Sequence, residues 1–193
     1  MSGITDSITI PMVGFCAWSG TGKTTLLTRL LPLLKEAGLR VAVVKHAHHS
    51  FDIDQPGKDS YALREAGASQ MLIASRKRMA LITEFEEGRG EPSLAEALAG
   101  LNLQDIDLVL VEGFKHEKFR KIELYRPELN KPLLFPEDPS IIAIASDAPI
   151  AENRQLLPKL NLNNPPQIVQ FILENILGST STAAVTAQSA KRP

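Results

Sequence analysis

Short apolar runs without strict alternation recur along the chain at Ile10–Cys16, Val41–Val44, Leu108–Val111 and Ile141–Ala145. Runs of this length and pattern predict strands buried on both faces. Between the first two, residues 23–37 place Leu26, Leu27, Leu30, Leu31, Leu33 and Leu34 on a broad apolar face that stops at Gly38. That spacing predicts a helix, with Pro32 expected to bend it or end its regular part early. Strand, helix and strand in this order predict a βαβ unit and hence a parallel sheet.

The pattern then changes character. Asp59 stands where it can cap a helix running to Ala66, with Gly67 just past its end. Gln70–Ala74 and Met79–Glu84 flank the basic segment Arg76-Lys77-Arg78 and predict a hairpin at about residues 69–85. Ser93 and Glu96 have capping-box spacing for a helix to about Ala99. Lys121–Arg126 reads as a further strand before a proline-rich loop between Pro127 and Pro139. Pro165 and Pro166 open an amphipathic helix through Ile168, Val169, Phe171, Ile172, Ile176 and Leu177, stopped at Gly178. These elements predict an α/β fold: a mostly parallel sheet flanked by helices, with an inserted β-hairpin, forming one domain over residues 1–178. Residues 179–193 are Ser, Thr and Ala with a basic end, and are predicted to form a disordered tail.

Composition narrows the function classes. Lys plus Arg number 21 against 22 Asp plus Glu, so the net charge of -1 provides no general attraction to nucleic acid or anionic lipid. Any positive site must be local. The single cysteine, Cys16, allows no intrachain disulfide. The longest uncharged apolar stretch, from Ile8 to Trp18, is shorter than the roughly 17–20 residues that span a bilayer. Without a basic, apolar leader at the start, a cytoplasmic protein with no membrane or nucleic-acid partner is expected.

The strongest chemical signal is Ser19-Gly20-Thr21-Gly22-Lys23-Thr24-Thr25, between a predicted buried strand and a leucine-rich helix. It matches a phosphate-binding P-loop, making the fold P-loop NTPase-like. Gly20 and Gly22 let backbone N–H groups turn toward phosphate oxygens at a helix N-terminus. Lys23 would reach the β- and γ-phosphates, and the Thr24 hydroxyl would take one Mg²⁺ position. Ala17 stands where the usual first glycine would be, which a negative φ tolerates.

Glu112 closes the apolar run that Asp107 opens, and is expected at the ligand edge near the metal. Asp52 and Asp54 lie in the loop after the second strand. Either could hold Mg²⁺ through water, with Asp54 preferred, and a solvated acidic loop is the competing reading. His46, His48 and His49 follow the second strand and His116 follows the Glu112 strand, each loop with its own lysine, Lys45 and Lys115. A pocket for a second anionic ligand is the favoured reading over a metal site, which usually needs more cysteine or a helical His-x-x-x-His spacing. Structural loop histidines are the third alternative. Asp147, at the end of the Ile141–Ala145 run, is placed to accept from guanine N1–H and N2–H₂, or else simply belongs to the turn before Pro149. Asn130-Lys131 begins like a guanine-reading box, but Leu133 replaces its aspartate.

With these residues in place, the chain resembles the molybdopterin-guanine dinucleotide biosynthesis adaptor family. The resemblance rests on residues 18–25, Lys45-His-Ala-His-His49, Pro56-Gly-Lys-Asp-Ser60, Val111-Glu-Gly-Phe-Lys-His116 and Ile142-Ala-Ile-Ala-Ser-Asp147, and covers roughly residues 10–175. It implies GTP binding, weak intrinsic hydrolysis, a homodimer and a helper role when molybdenum cofactor guanylyltransferase joins GMP to molybdopterin. The second anion site, formed by the Lys45–His49 and Lys115–His116 loops beside the nucleotide, is then expected to suit the terminal phosphate of molybdopterin. Trp18 stands where one ATPase branch has a signature lysine, which argues against that branch's mechanism. The rival reading is a small-molecule kinase whose His/Lys loops hold a phosphoryl acceptor. The apolar hairpin edge, with Met71, Ile73, Leu81 and Ile82, is expected to pair with a second copy, unless a helix of the same chain covers it.

Overall fold

A computed structural model describes residues 10–47, 51–86, 88–150 and 157–178. In chain order the elements are β1 (Met12–Cys16), α1 (Lys23–Glu36), β2 (Val41–Lys45), α2 (Asp59–Glu65), β3 (Gln70–Ala74), β4 (Met79–Thr83), α3 (Leu94–Ala99), β5 (Leu108–Glu112), β6 (Lys121–Tyr125), β7 (Ile141–Ser146), β8 (Lys159–Asn161) and α4 (Pro165–Asn175). They fall into two compact units, residues 1–46 with 93–193, and residues 47–92. The tail predicted over 179–193 lies outside the described residues.

The first unit is built on a six-stranded sheet in the order β2-β5-β1-β6-β7-β8, with every neighbouring pair parallel. One sheet face presents Val13, Phe15, Leu110, Ile122, Leu124 and Ala143, packed with Leu26, Leu30 and Leu34 of α1 and Ile168 and Ile172 of α4. On the other face, Val44, Val109 and Val111 pack with Leu94 and Leu98 of α3 and with Phe114. α1 runs on through Pro32 to Glu36, so the expected early end of the helix is not observed. Pro32 removes one N–H from the ladder, but four buried leucines along the helix hold it to the sheet. Gly38 stops it with φ +84°, its N–H donating to Lys35 O. α3 has the full reciprocal capping box of Ser93 and Glu96. β8 was not anticipated; it is three residues long and buries only Leu160.

The second face of β6 departs from ordinary core chemistry. Lys121 and Glu123 are both buried there, at 1% and 0% exposure. Lys121 Nζ spends its three donors on Lys115 O (2.9 Å), Glu117 O (2.7 Å) and Asp138 Oδ2 (2.8 Å). Glu123 accepts from the Leu134 and Phe135 N–H groups at 2.7 and 2.9 Å. Full satisfaction is what makes buried charge tolerable. Gly14 makes room: a Cβ on it would stand 2.4 Å from Phe119 Cε2 and 3.1 Å from Lys121 Cγ. Burial pushes the Glu123 carboxyl up, with its two backbone donors pulling the other way. Burial also acts to raise Asp138, but donors from Lys121 and Ser140 outweigh it and hold that carboxyl below its usual range. The Cys16 thiol on the same face is pushed up to about 12, first by burial and then by the Glu123 charge.

The second unit holds α2 and the antiparallel hairpin β3–β4, paired from Gln70↔Thr83 to Ala74↔Met79. Asp59 is the first residue of α2 rather than its cap, a place taken by Lys58. Arg64 ties the unit together, pairing with Asp52 at 2.8 Å and Glu84 at 2.6 Å. Leu72, Met79 and Leu81 of the hairpin are 57%, 72% and 52% exposed.

Replacing Glu123 by Ala is expected to lower stability by about 2–4 kcal/mol, because it strands two buried N–H donors and opens a void. Urea unfolding of the variant beside the parent protein measures the loss.

Candidate functional site

Because all six strands run the same way, the C-terminal ends of β1, β2, β5, β6 and β7 meet along one edge of the sheet. The loop after β1 turns back into α1 through two left-handed glycines, Gly20 at φ +81° and Gly22 at φ +96°. An L side chain would be strained at either place. Ala17 keeps a negative φ, so the missing first glycine costs the loop nothing. Thr21 is buried, and its hydroxyl donates to Trp18 O at 2.7 Å, folding the loop on itself. No side chain caps α1, which leaves the first-turn N–H groups of residues 23–25 available to an anion. Lys23 Nζ donates to Ala17 O at 3.2 Å, back across the loop. Partial burial lowers its pKa, against the opposing pull of the Glu112 charge. Ser19 and Thr25 flank this cradle, and Thr24 lies in the first turn of α1.

Glu112 ends β5 beside this loop, in register with Phe15 of β1 on one side and Lys45 of β2 on the other. Its side chain is 14% exposed and pairs with Lys45 Nζ at 3.8 Å. Asp107, at the opposite end of the strand, accepts from the Arg40 N–H at 2.7 Å. The chain leaves β5 through two consecutive left-handed residues, Gly113 (φ +95°) and Phe114 (φ +51°). A Cβ on Gly113 would come within 2.6 Å of His46 Cβ, so only glycine fits. His46 donates its N–H to Glu112 O at 2.8 Å and stacks on Phe114 with ring centroids 4.7 Å apart.

The other predicted residues divide among several settings. Lys115 Nζ stands 5.9 Å from the Trp18 ring centroid, and Lys115 and His116 line a cleft of 710 Å³ with Phe119, Leu134 and Ile141. His48 and His49 lie outside the described residues. Asp54 and Asp52 belong to the second unit, where Asp54 Oδ1 accepts from Gln55 N and Ser60 Oγ and Asp52 pairs with Arg64. Among the described residues, no group of three or more His, Cys, Asp or Glu side chains converges as a metal site. No helix among the described residues is long and apolar enough to cross a membrane.

Asp147 follows β7 on the same edge and is ion-paired with Arg126, which follows β6. Arg126 Nε also donates to Thr21 O at 2.9 Å, inside the phosphate loop. Sequence reasoning passed over Arg126, although its place at the C-terminal end of a predicted strand was the available signal. Lys131, considered there only as part of a guanine-reading box that Leu133 breaks, has its Nζ 5.8 Å from the Trp18 centroid, while Trp18 Nε1 donates to Pro132 O.

The family model of molybdopterin guanine dinucleotide synthesis protein B, MobB, matches residues 12–147. A molybdopterin-guanine dinucleotide biosynthesis adapter protein of Escherichia coli is 44% identical over 166 residues, covering 86% of this chain and 93% of that one. One of the same name from Haemophilus influenzae is 43% identical, covering 84% and 88%. Among solved structures, a molybdopterin-guanine biosynthesis protein B superposes with TM-score 0.63 at 30% identity, over 84% of this chain and 97% of that one. Bacillus subtilis MobB gives 0.65 at 25% identity, over 86% and 98%. The matched segment runs from the first residue of β1 to Asp147, taking in the phosphate loop, the Lys-His pair, the Glu-Gly-Phe-Lys-His turn and the end of β7. With that edge of the P-loop fold matched from end to end, the chain belongs to the MobB family.

Proposed function

We propose that this chain is a nucleotide-binding adapter in molybdenum cofactor biosynthesis: it binds GTP with Mg²⁺ and assists the guanylyltransferase that joins GMP to molybdopterin. The observation that carries the reading is the phosphate loop, with left-handed Gly20 and Gly22 leading into an uncapped helix that starts at Lys23. The name shared by the relatives supports the pathway. No observation favours the kinase reading.

The chain's own groups define what the site can do. Backbone N–H groups of residues 20–25 and Lys23 would hold the phosphates, the lysine exchanging Ala17 O for a phosphate oxygen. Bound Mg²⁺ would neutralise charge on the β- and γ-phosphates; the Thr24 hydroxyl and the Glu112 carboxylate are oxygen donors that suit such a hard cation. Glu112 fits this role because its Lys45 contact, at 3.8 Å, is looser than a hydrogen bond. Lys45, His46, Lys115 and His116 supply positive charge and donors for a second anion, the terminal phosphate of molybdopterin. Asp147 accepts from guanine N1–H and N2–H₂. With hydrolysis weak, the protein acts mainly by presenting or sensing GTP. In the second unit, the exposed Leu72, Met79 and Leu81 support pairing of two copies through their hairpins.

Molybdopterin guanine dinucleotide formation by guanylyltransferase should rise when the chain and GTP are added, while GTP turnover by the chain alone stays slow. Lys23→Ala should cancel the gain and weaken GTP binding roughly 10–100-fold with an unchanged melting curve. A folded variant with parental GTP affinity overturns the loop assignment. Glu112→Gln should remove most of the Mg²⁺-dependent gain in triphosphate affinity, because a neutral amide is a poor ligand for a hard cation. Calorimetry with and without Mg²⁺ measures this. Light scattering at micromolar concentration should report a dimer mass, which the Ile73→Asp, Leu81→Asp double variant converts to monomer.

A further inference from the structure

Three features of the sheet edge are left over once the phosphate loop and Glu112 have been given roles, and they belong together. The first is the Arg126 guanidinium. Its Nε donates to Thr21 O at 2.9 Å, its Nη1 pairs with Asp147 Oδ2, and its Nη2 lies 3.8 Å from where a Cβ on Gly22 would stand. One side chain therefore spans from the phosphate loop to the end of β7. The second is Asp147 Oδ1, a buried carboxylate oxygen with no hydrogen-bond partner among the described residues. An orphaned acceptor of this kind is costly, and a donor from a ligand removes the cost. The third is a pocket of 350 Å³ lined by Ser146, Asp147, Ala148, Pro149, Leu160 and Asn161, at the same edge and large enough for a purine ring.

We propose that Arg126 is the positioning residue that sets base specificity: it locks Asp147 in place and ties the base pocket to the phosphate loop. The inference rests on the reading of Asp147 as the guanine acceptor. Guanine offers N1–H and N2–H₂ side by side, whereas adenine offers one donor group and a lone pair on its N1. A carboxylate discriminates between them only if it is ionised and held in one orientation, so that the wrong base leaves buried acceptors unpaired. A free aspartate at a strand end turns about two side-chain bonds. Here its Oδ2 is fixed by a guanidinium that is itself pinned to Thr21 O, leaving Oδ1 for the base. Arginine makes the two contacts from two separate nitrogens of a rigid planar fork, whereas a lysine ammonium presents all its donors from one nitrogen on a flexible stem and fixes no plane. Thr21 also belongs to the loop that wraps phosphate, so occupancy at one end steadies the other.

The test titrates the full chain with GTP, ATP and XTP in the presence of Mg²⁺, using the parent protein, Arg126→Lys, Arg126→Gln and Asp147→Asn. Thermal melting checks that each variant is folded. Arg126→Lys is expected to lose about tenfold more affinity for GTP than for ATP. Arg126→Gln, which removes the charge as well, should narrow the same ratio at least as far. Equal losses for the two nucleotides would reduce Arg126 to a brace for the loop and overturn the proposal, as would unchanged ratios in both variants. Asp147→Asn is expected to shift preference from GTP to XTP, since its amide can donate to the xanthine O2. If that shift occurs while the Arg126 variants keep their discrimination, the positioning role alone fails. If Asp147→Asn leaves base preference untouched, or the parent protein binds ATP as tightly as GTP, the base reading fails and this inference with it.

Discussion

Parallel pairing of every strand in the six-stranded sheet is the constraint from which the rest follows. A parallel strand cannot return through a tight turn, so each connection must cross a sheet face and cover it. α1 does this on one face, and α4, which follows the last strand, covers the same face beside it, with leucine, isoleucine and valine. The same rule collects all the strand C-termini along one edge. The phosphate loop, Glu112, Lys45, Arg126 and Asp147 come from five different strands, yet each lies at its strand's last residue or just beyond it. Chemistry gathers there because the strands are buried and their ends are not.

The opposite face obeys the rule differently. α3 covers β2 and β5, while the segments 113–120 and 134–140 lie against β1 and β6. Irregular segments bring unpaired backbone groups that a helix would satisfy within itself. Lys121 and Glu123 answer that need. The lysine collects two loop carbonyls and a carboxylate, and the glutamate collects two loop N–H groups. The buried charges thus serve as fasteners for loops. Gly14 belongs to the same solution, since any side chain there would displace Phe119 and Lys121.

This division explains what could be read from the chain in advance. Elements whose signal is local were legible: the apolar runs of the inner strands, the leucine face of α1, the Ser93–Glu96 box and the glycine-lysine loop. β8 was not, because three residues with one buried leucine carry no period. Nor was the burial of Lys121 and Glu123, since alternating charge on a short strand ordinarily marks a solvated face. Their partners come from loops on either side, and nothing at positions 121 and 123 announces them. Arg126 is the extreme case. Its contact with Thr21 spans 105 positions of sequence and its pair with Asp147 spans 21, so only the strand order brings the three together. Pro32 is a milder case: it weakens α1 locally, and packing on the sheet carries the helix past it.

The paired Lys-His and Glu-Gly-Phe-Lys-His segments have a physical reason to occur together. β2 and β5 are neighbours with Lys45 opposite Glu112, so the residue after each strand must share one small space. The His46 N–H continues the ladder by donating to Glu112 O, which draws its Cβ toward the next residue of β5's exit. Only glycine at 113 tolerates that approach, and its left-handed turn, followed by another at Phe114, swings the phenyl ring under the imidazole. A bulkier residue at 113 would push His46 away and move Glu112 with it. The glycine therefore fixes the distance between the strand-end carboxylate and the strand-end lysine, and through the β1–β5 register it fixes both against the phosphate loop. Charge at this edge is placed by backbone geometry first, and the side chains that carry it follow.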